Sequence, residues 1–224
     1  MSYAQAPQLS RRELSELASG KLVTRPQSVR RGHRQLMGGT SYQVIDLPPA
    51  AVFEALLDTP RYPRLLPQVS KARLVARSGG SRKVYLRQGS GLIQLEYYLD
   101  LTIDRDAQEV SFRLDEERPH GLRAAFGLYS VRRYSRDRTL LVFGIMADIG
   151  DGLLRSLVRD SVHEWMLKVP WTIKRFLEGS GRSRYVGDEG LLREPAVQVL
   201  SPEAASVSLT GVAPDGGDLE ERLP

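Results

Sequence analysis

Residues 92–104 read Leu92-Ile93-Gln94-Leu95-Glu96-Tyr97-Tyr98-Leu99-Asp100-Leu101-Thr102-Ile103-Asp104. From Ile93 to Ile103 every odd position is apolar or aromatic. The even positions are Gln94, Glu96, Tyr98, Asp100, Thr102 and Asp104. Successive side chains of a strand point to opposite faces, so this alternation describes a long strand with one face buried and the other wetted. A helix would repeat every 3.6 residues instead.

The same pattern continues on both sides. After the turn Arg105-Asp106-Ala107, Val110, Phe112 and Leu114 alternate with Ser111, Arg113 and Asp115. Upstream, Lys83 to Gln88 is stopped by Gly89-Ser90-Gly91, and Ser70 to Arg77 by Ser78-Gly79-Gly80. Downstream, Gly121 to Tyr134 turns through Arg136-Asp137-Arg138 into Thr139 to Asp148. Six strands joined by such short turns form an antiparallel meander.

Before the meander, Thr40 opens a further strand that ends at Leu47-Pro48-Pro49. Pro49 suits the first turn of a helix, where its missing N–H costs nothing. The helix runs from Ala50 to Asp58 with Val52, Phe53, Leu56 and Leu57 on its apolar face, and Thr59-Pro60 ends it. Tyr62 to Pro67 has room for one tight turn. After the meander, Gly152 to Glu178 has helical periodicity. Leu154, Val158, Val162, Trp165, Val169, Ile173 and Phe176 make one stripe, Pro170 predicts a kink, and Gly179-Ser180-Gly181 ends the helix.

The N-terminal segment is weaker. Ser10 and Glu13 form a capping box for a short helix to Ser19, Leu22-Val23-Thr24 suits a short strand, and Arg25 to Gly39 reads as polar and irregular. The expected organisation is therefore an N-terminal extension over 1–39, a domain over 40–178 and an acidic, mostly disordered tail over 179–224.

The chain has 224 residues, no cysteine and three histidines, His33, His120 and His163. Disulfide frameworks, thiolate metal sites and cysteine nucleophiles are excluded, and a histidine-rich metal site is not expected. The net charge is +5. From Tyr185 onward there are eight acidic residues and two arginines, a net −6, which leaves +11 on the preceding residues. A body that basic could meet nucleic acid, an anionic membrane or an acidic ligand, although scattered arginines are usually solvated surface. Specific DNA binding is not expected. There is no apolar run of about 18 residues and no secretory signal pattern, so a cytoplasmic location is the default expectation.

The run from Leu47 to Val69 carries a family resemblance. A proline-started helix, Asp58 near its end, then Tyr62-Pro63 and Leu66-Pro67 before the next strand resemble the opening of START-like (SRPBCC) domains. The similarity is closest to the polyketide cyclase/dehydrase and coenzyme-Q-binding branch. Gly127-Leu128-Tyr129, Thr139 at the start of the last strand and the long C-terminal helix are also family-like. The resemblance implies an α+β helix-grip fold: a curved antiparallel sheet of about seven strands wrapped round a long C-terminal helix, with a hydrophobic cavity between. Members bind lipids, quinones, polyketides or hormones, and some are enzymes.

On that reading the cavity residues are Leu95, Tyr97, Leu99, Phe112, Leu114, Phe126, Tyr129, Trp165 and Val169, any one of which could equally be plain core. Strand parity separates Phe126 and Leu128 from Tyr129 and Val131 unless Gly127 forms a bulge. Arg87 and Arg123 are the cations considered for polarising a carbonyl, as a cyclase would require. His163 falls on the polar side of its helix and His120 in a loop. Leu157, Leu167 and Trp171 fall on the outer side of the helix, beside Lys168, Lys174 and Arg175, where a dimer or a membrane surface could meet them. No nucleophile elbow, zinc-protease motif or phosphate loop is present. The expectation is a binding protein, without cofactor or metal, that holds a hydrophobic small molecule as carrier or chaperone. The alternatives are an aromatase/cyclase-type enzyme, or a START-like protein acting on ribosome, RNA or membrane.

Overall fold

The structure is a computed structural model and describes residues 9–32, 34–90, 93–150 and 163–186. Its strands are β1 (Val23–Arg31), β2 (Arg34–Ile45), β3 (Val69–Ser78), β4 (Ser81–Ser90), β5 (Ile93–Asp104), β6 (Glu109–Leu114), β7 (Ala124–Ser135) and β8 (Arg138–Asp148). Its helices are α1 (Arg11–Ala18), α2 (Pro49–Leu57), α3 (Tyr62–Leu65), α4 (Val169–Glu178) and α5 (Arg182–Tyr185), with a 3-10 turn at Thr59–Arg61. Residues 163–167 are also helical. Among the described residues no helix is long and apolar enough to cross a membrane.

All eight strands join one antiparallel sheet in the order β1-β2-β8-β7-β6-β5-β4-β3. The meander from β3 to β8 matches the alternation in the sequence. The irregular stretch expected over Arg25 to Gly39 is instead β1 and the first half of β2, paired from Val23↔Tyr42 to Arg31↔Arg34. This hairpin extends the meander through β2 and β8, paired from Met37↔Ala147 to Ile45↔Thr139. It brings the expected seven strands to eight.

Gly38 and Gly39 permit that junction. Their φ angles are 156° and 140°. A Cβ on Gly38 would lie 1.9 Å from the Ile145 carbonyl oxygen, and one on Gly39 2.2 Å from that of Arg25. Only glycine lets β2 bend this close to both neighbours.

Residues paired across strands share a face, so the register sorts the side chains. Leu99↔Leu114, Leu101↔Phe112, Val110↔Tyr129, Tyr129↔Phe143 and Val131↔Leu141 all turn to the inner face. The main core lies between this face and α2, α3 and α4, to which Val52, Phe53, Leu56, Leu65, Val169, Ile173 and Leu177 contribute. Each such side chain stabilises the fold by about 1.5–3 kcal/mol. On the opposite face, α1 sets Leu17 against Val23, Tyr42 and Val44 in a second, smaller cluster.

The kink expected at Pro170 is a break. Lys168 is a turn, and α4 begins at Val169 with Pro170 in its first turn. Val169 and Ile173 are buried as the expected stripe requires, and two of their neighbours differ from it. Leu167, expected on the outer side, is buried, and its carbonyl accepts a 2.7 Å bond from Ser41 Oγ. Leu177 is fully buried, whereas Phe176 is only half-buried. The earlier helix positions, Leu154, Leu157, Val158 and Val162, and the tail from residue 187 lie outside the described residues.

Glu13 holds α1 in place. Its two carboxylate oxygens accept from Arg25 Nε at 2.8 Å and from Arg25 NH2 at 2.7 Å. Oε2 also accepts from the Ser10 backbone N–H at 2.7 Å. The Arg25 and Ser10 bonds pull its pKa from 4.5 to about 2. A depressed carboxylate pKa adds stability above the unfolded value and loses it as pH falls through the folded one. Protection of the α1 amides, followed by hydrogen exchange, should therefore be full at neutral pH, fall below about pH 4.5 and be lost near pH 2. In Glu13→Gln it should be weak at every pH. Separately, Gly38→Ala should lower stability by about 2 kcal/mol or more in urea unfolding, because a backbone carbonyl occupies the space the methyl needs.

Candidate functional site

Three rings meet on the inner face of β6, β7 and β8. Tyr129 lies 4.7 Å from Phe143 and 5.6 Å from Phe112, centroid to centroid, and Phe112 lies 6.1 Å from Phe143 in a near-parallel stack. Gly127 makes this possible. It sits opposite Phe112 in the register, and a Cβ there would come within 2.3 Å of the Phe112 ring. The ring therefore lies over the glycine and extends toward Tyr129. The register runs through Gly127 without a bulge. Strand parity is thereby settled: Tyr129 and Val131 point inward, while Phe126, paired with Arg113 and Met146, belongs to the other face.

Three phenols belong to this inner region. The Tyr62 hydroxyl donates to the Leu56 carbonyl at 2.8 Å. The Tyr97 hydroxyl donates to Gln88 Oε1, and Gln88 Nε2 donates to the Pro67 carbonyl at 2.8 Å. Among the described residues the Tyr129 hydroxyl makes no hydrogen bond, and Tyr129 keeps partial accessibility while its ring packs on the core. Burial raises all three phenol pKa values, that of Tyr62 to about 12. Tyr129 is pushed up by burial first, then by Tyr62 and Tyr97, because a phenolate near either would meet a second negative charge. The phenols thus act as neutral hydrogen-bonding groups in an apolar setting.

Most of the residues expected to line a cavity come together here. Leu99, Phe112, Leu114, Tyr97 and Val169 are buried in the main core, and Leu95 and Tyr129 pack against it half-buried. Phe126 and Trp165 are not brought into it. Phe126 faces the other side of β7. Trp165 precedes the helix break and is half-buried, and its neighbour Met166 meets the core. The alternation of β8 and the Tyr62-Pro63 pair carried the signal for two contributors left out of the sequence reading, Phe143 and Tyr62.

The two cations considered for polarising a carbonyl are both exposed. Arg87 is exposed on the outer face, with its Nε 2.7 Å from Gln94 Oε1 and 3.6 Å from Glu96. Arg123 is exposed at the entry to β7, beside Gly150. Arg82, paired with Leu101, has the inward parity on β4, and its NH1 donates to the Leu57 carbonyl at the end of α2 at 2.5 Å. Val84 and Leu86 fix this parity on β4 and already signalled it in the sequence. The two described histidines contact backbone. His163, expected to be exposed, is half-buried with Nε2 2.5 Å from the Gly38 carbonyl, and His120 Nδ1 lies 2.5 Å from that of Leu122. Trp171 is 39% exposed, as expected, with Arg175 4.8 Å above its ring. Asp58, the carboxylate of the family-like run, is a brace: Oδ2 accepts from Arg184 Nε and from the Tyr185 hydroxyl, both at 2.8 Å.

An eight-stranded antiparallel sheet with helices on its inner face and an aromatic, phenol-bearing interior is the architecture of a START-like domain. Comparison with solved structures bears this out. A STAR-related lipid transfer protein from Xanthomonas axonopodis aligns at TM-score 0.58 and 12% identity, over 70% of this chain and 93% of its own. The Zhui aromatase/cyclase from Streptomyces sp. R1128 aligns at 0.56 and 14%, over 75% and 100%. A protein from Thermus thermophilus aligns at 0.54 and 16%, over 62% and 92%. No protein-family model matches the chain, and no curated protein matches it. The fold is START-like (SRPBCC), and identities this low establish the fold alone.

The hydroxyls should separate on mutation. Tyr97→Phe leaves Gln88 Oε1 without its donor and should cost about 1–2 kcal/mol in urea unfolding. Tyr129→Phe removes a hydroxyl with no partner among the described residues and should leave stability unchanged or slightly higher. In a spectrophotometric titration, Tyr62, Tyr97 and Tyr129 should ionise well after the exposed tyrosines. A phenol pKa raised by folding adds stability that is complete below about pH 10 and is lost as pH rises toward the folded value, about 12 for Tyr62. The late absorbance change should therefore coincide with unfolding.

Proposed function

We propose that the protein binds a largely apolar small molecule, of the lipid, quinone or polyketide-like kind, against the inner face of the sheet, as a carrier or chaperone. The observation that carries this reading is the Tyr129 hydroxyl. It is a neutral donor and acceptor without a partner among the described residues, set between Phe112 and Phe143 in an apolar surround. Tyr129 is only partly buried, so its hydroxyl is within reach of a ligand, and a ligand carbonyl or hydroxyl there would gain a hydrogen bond in an apolar surround. The titratable groups of the inner face favour binding over catalysis. The phenols remain protonated at neutral pH, and Arg82 is engaged with the end of α2. Arg87, considered for a cyclase, lies on the outer face, and Arg123 is exposed ahead of β7.

Native mass spectrometry of the purified chain should reveal a co-purifying apolar molecule, or binding of an added ubiquinone analogue or fatty acid. Tyr129→Phe should weaken binding of a carbonyl-bearing ligand about five- to tenfold, as loss of one buried hydrogen bond requires. A chain that is always ligand-free and takes up neither probe would overturn the proposal.

A further inference from the structure

The outer face of the sheet changes character between β5 and β8. On β5 its side chains are Glu96, Tyr98, Asp100 and Thr102, as a wetted face requires. On β7 and β8 they include Phe126, Leu128, Val142 and Met146, all partly exposed. Met146 lies directly across from Phe126, and Gly144 from Leu128, so these side chains form one continuous strip. Val142 packs against the small cluster under α1, whereas Phe126, Leu128 and Met146 join neither apolar cluster among the described residues. The strip has a hollow in its middle. A Cβ on Gly144 would meet nothing within 4 Å, so there is open space beside Leu128. An apolar strip on a sheet face that is otherwise polar marks a contact surface.

We propose that this strip is a docking groove for the chain's own N-terminal segment, residues 1–8, with the Tyr3 ring seated in the hollow at Gly144. Three observations select this occupant. Leu9, the first described residue, packs against the same small cluster that Val142 touches, so the segment departs from this face of the sheet beside the strip. Met1-Ser2-Tyr3-Ala4-Gln5-Ala6-Pro7-Gln8 has no charged side chain, in a chain that is 26% charged, and can cover apolar surface without burying a charge. Eight residues reach up to about 26 Å and neighbouring strands lie about 4.8 Å apart, so the segment can cross from β2 to β7 with slack. Tyr3 is its one aromatic residue, and a tyrosine ring can bury its apolar body while its hydroxyl stays at the edge of the contact. The strip lies on the opposite side of the sheet from Tyr129, so this inference does not depend on the apolar-ligand reading.

The chain has no cysteine, so Ser2→Cys gives a single attachment point for a nitroxide. In amide spectra of the full chain, paramagnetic broadening should be strongest at Leu128, Gly144 and Met146 and fall off toward β4 and β3. Tyr3→Ser should reduce that broadening at least about twofold, because it removes the apolar contact that holds the segment. Gly144→Val, which fills the hollow, should reduce it to a similar extent. An equal mixture of nitroxide-bearing chain and isotope-labelled chain without nitroxide separates the other occupant. Broadening of the isotope-labelled copy at the same three residues would assign the strip to a second copy and overturn the proposal. Broadening spread evenly over the sheet, or left unchanged by Tyr3→Ser, would overturn it as well.

Discussion

The fold depends on a close approach at β2. Gly38 and Gly39 place the backbone where Ile145 on one side and Arg25 on the other leave no space for a side chain. An open sheet of eight strands must twist and coil, and a glycine pair where the N-terminal hairpin meets the last strand of the meander concentrates the bend there. His163 contacts the Gly38 carbonyl, and Ser41, three residues further on, bonds the Leu167 carbonyl. The bend is therefore also the place where the C-terminal helical segment is tied to the sheet. The inner face is enclosed because these contacts hold helix and strand together at the break before α4.

Within that enclosure, a second glycine sets the chemistry. Gly127 gives up its side-chain volume to Phe112, and the three-ring cluster with Tyr129 and Phe143 follows from the register. The neighbouring phenols have protein partners, Leu56 for Tyr62 and Gln88 for Tyr97. Tyr129 sits in the same apolar interior, yet its hydroxyl has no partner among the described residues. That asymmetry sets Tyr129 apart from the two phenols beside it.

The meander was legible because its strands have one wet and one dry face, as Ile93 to Asp104 shows most clearly. The α2 helix was legible from Pro49 and the apolar residues after it. β1 was hidden because it lies at an edge: Thr24, Pro26, Gln27, Ser28, Val29 and Arg30 carry no alternation of apolar and polar side chains, and most of them are exposed. The helix stripe was legible in part: Val169 and Ile173 are buried as expected, while Leu167 is buried as well and Leu177, one helical turn past Ile173, takes the core position expected of Phe176. Which of Phe126 and Tyr129 turns inward was not legible from β7 alone, because parity there depends on pairing with β6, a long-range property. Arg82 against Arg87 was decidable from Val84 and Leu86 alone. For the site, the apolar side chains were visible in the sequence, but which hydroxyl lacks a partner is a matter of geometry.

Among the described residues the sheet ends in two edge strands, β1 and β3, and an edge strand's outer backbone groups invite another strand. Both are guarded. β1 presents Pro26, which has no N–H to offer, and exposed Arg30. β3 presents exposed Lys71, Arg73 and Arg77 along its length or beside it, with register shifts between Val69 and Lys71 and between Leu74 and Ala76. A second copy approaching either edge in extended form would meet like charge, a missing donor or an irregular ladder. The cations that make the body basic thus protect it from sheet-to-sheet aggregation, which a half-closed β architecture would otherwise risk at each end.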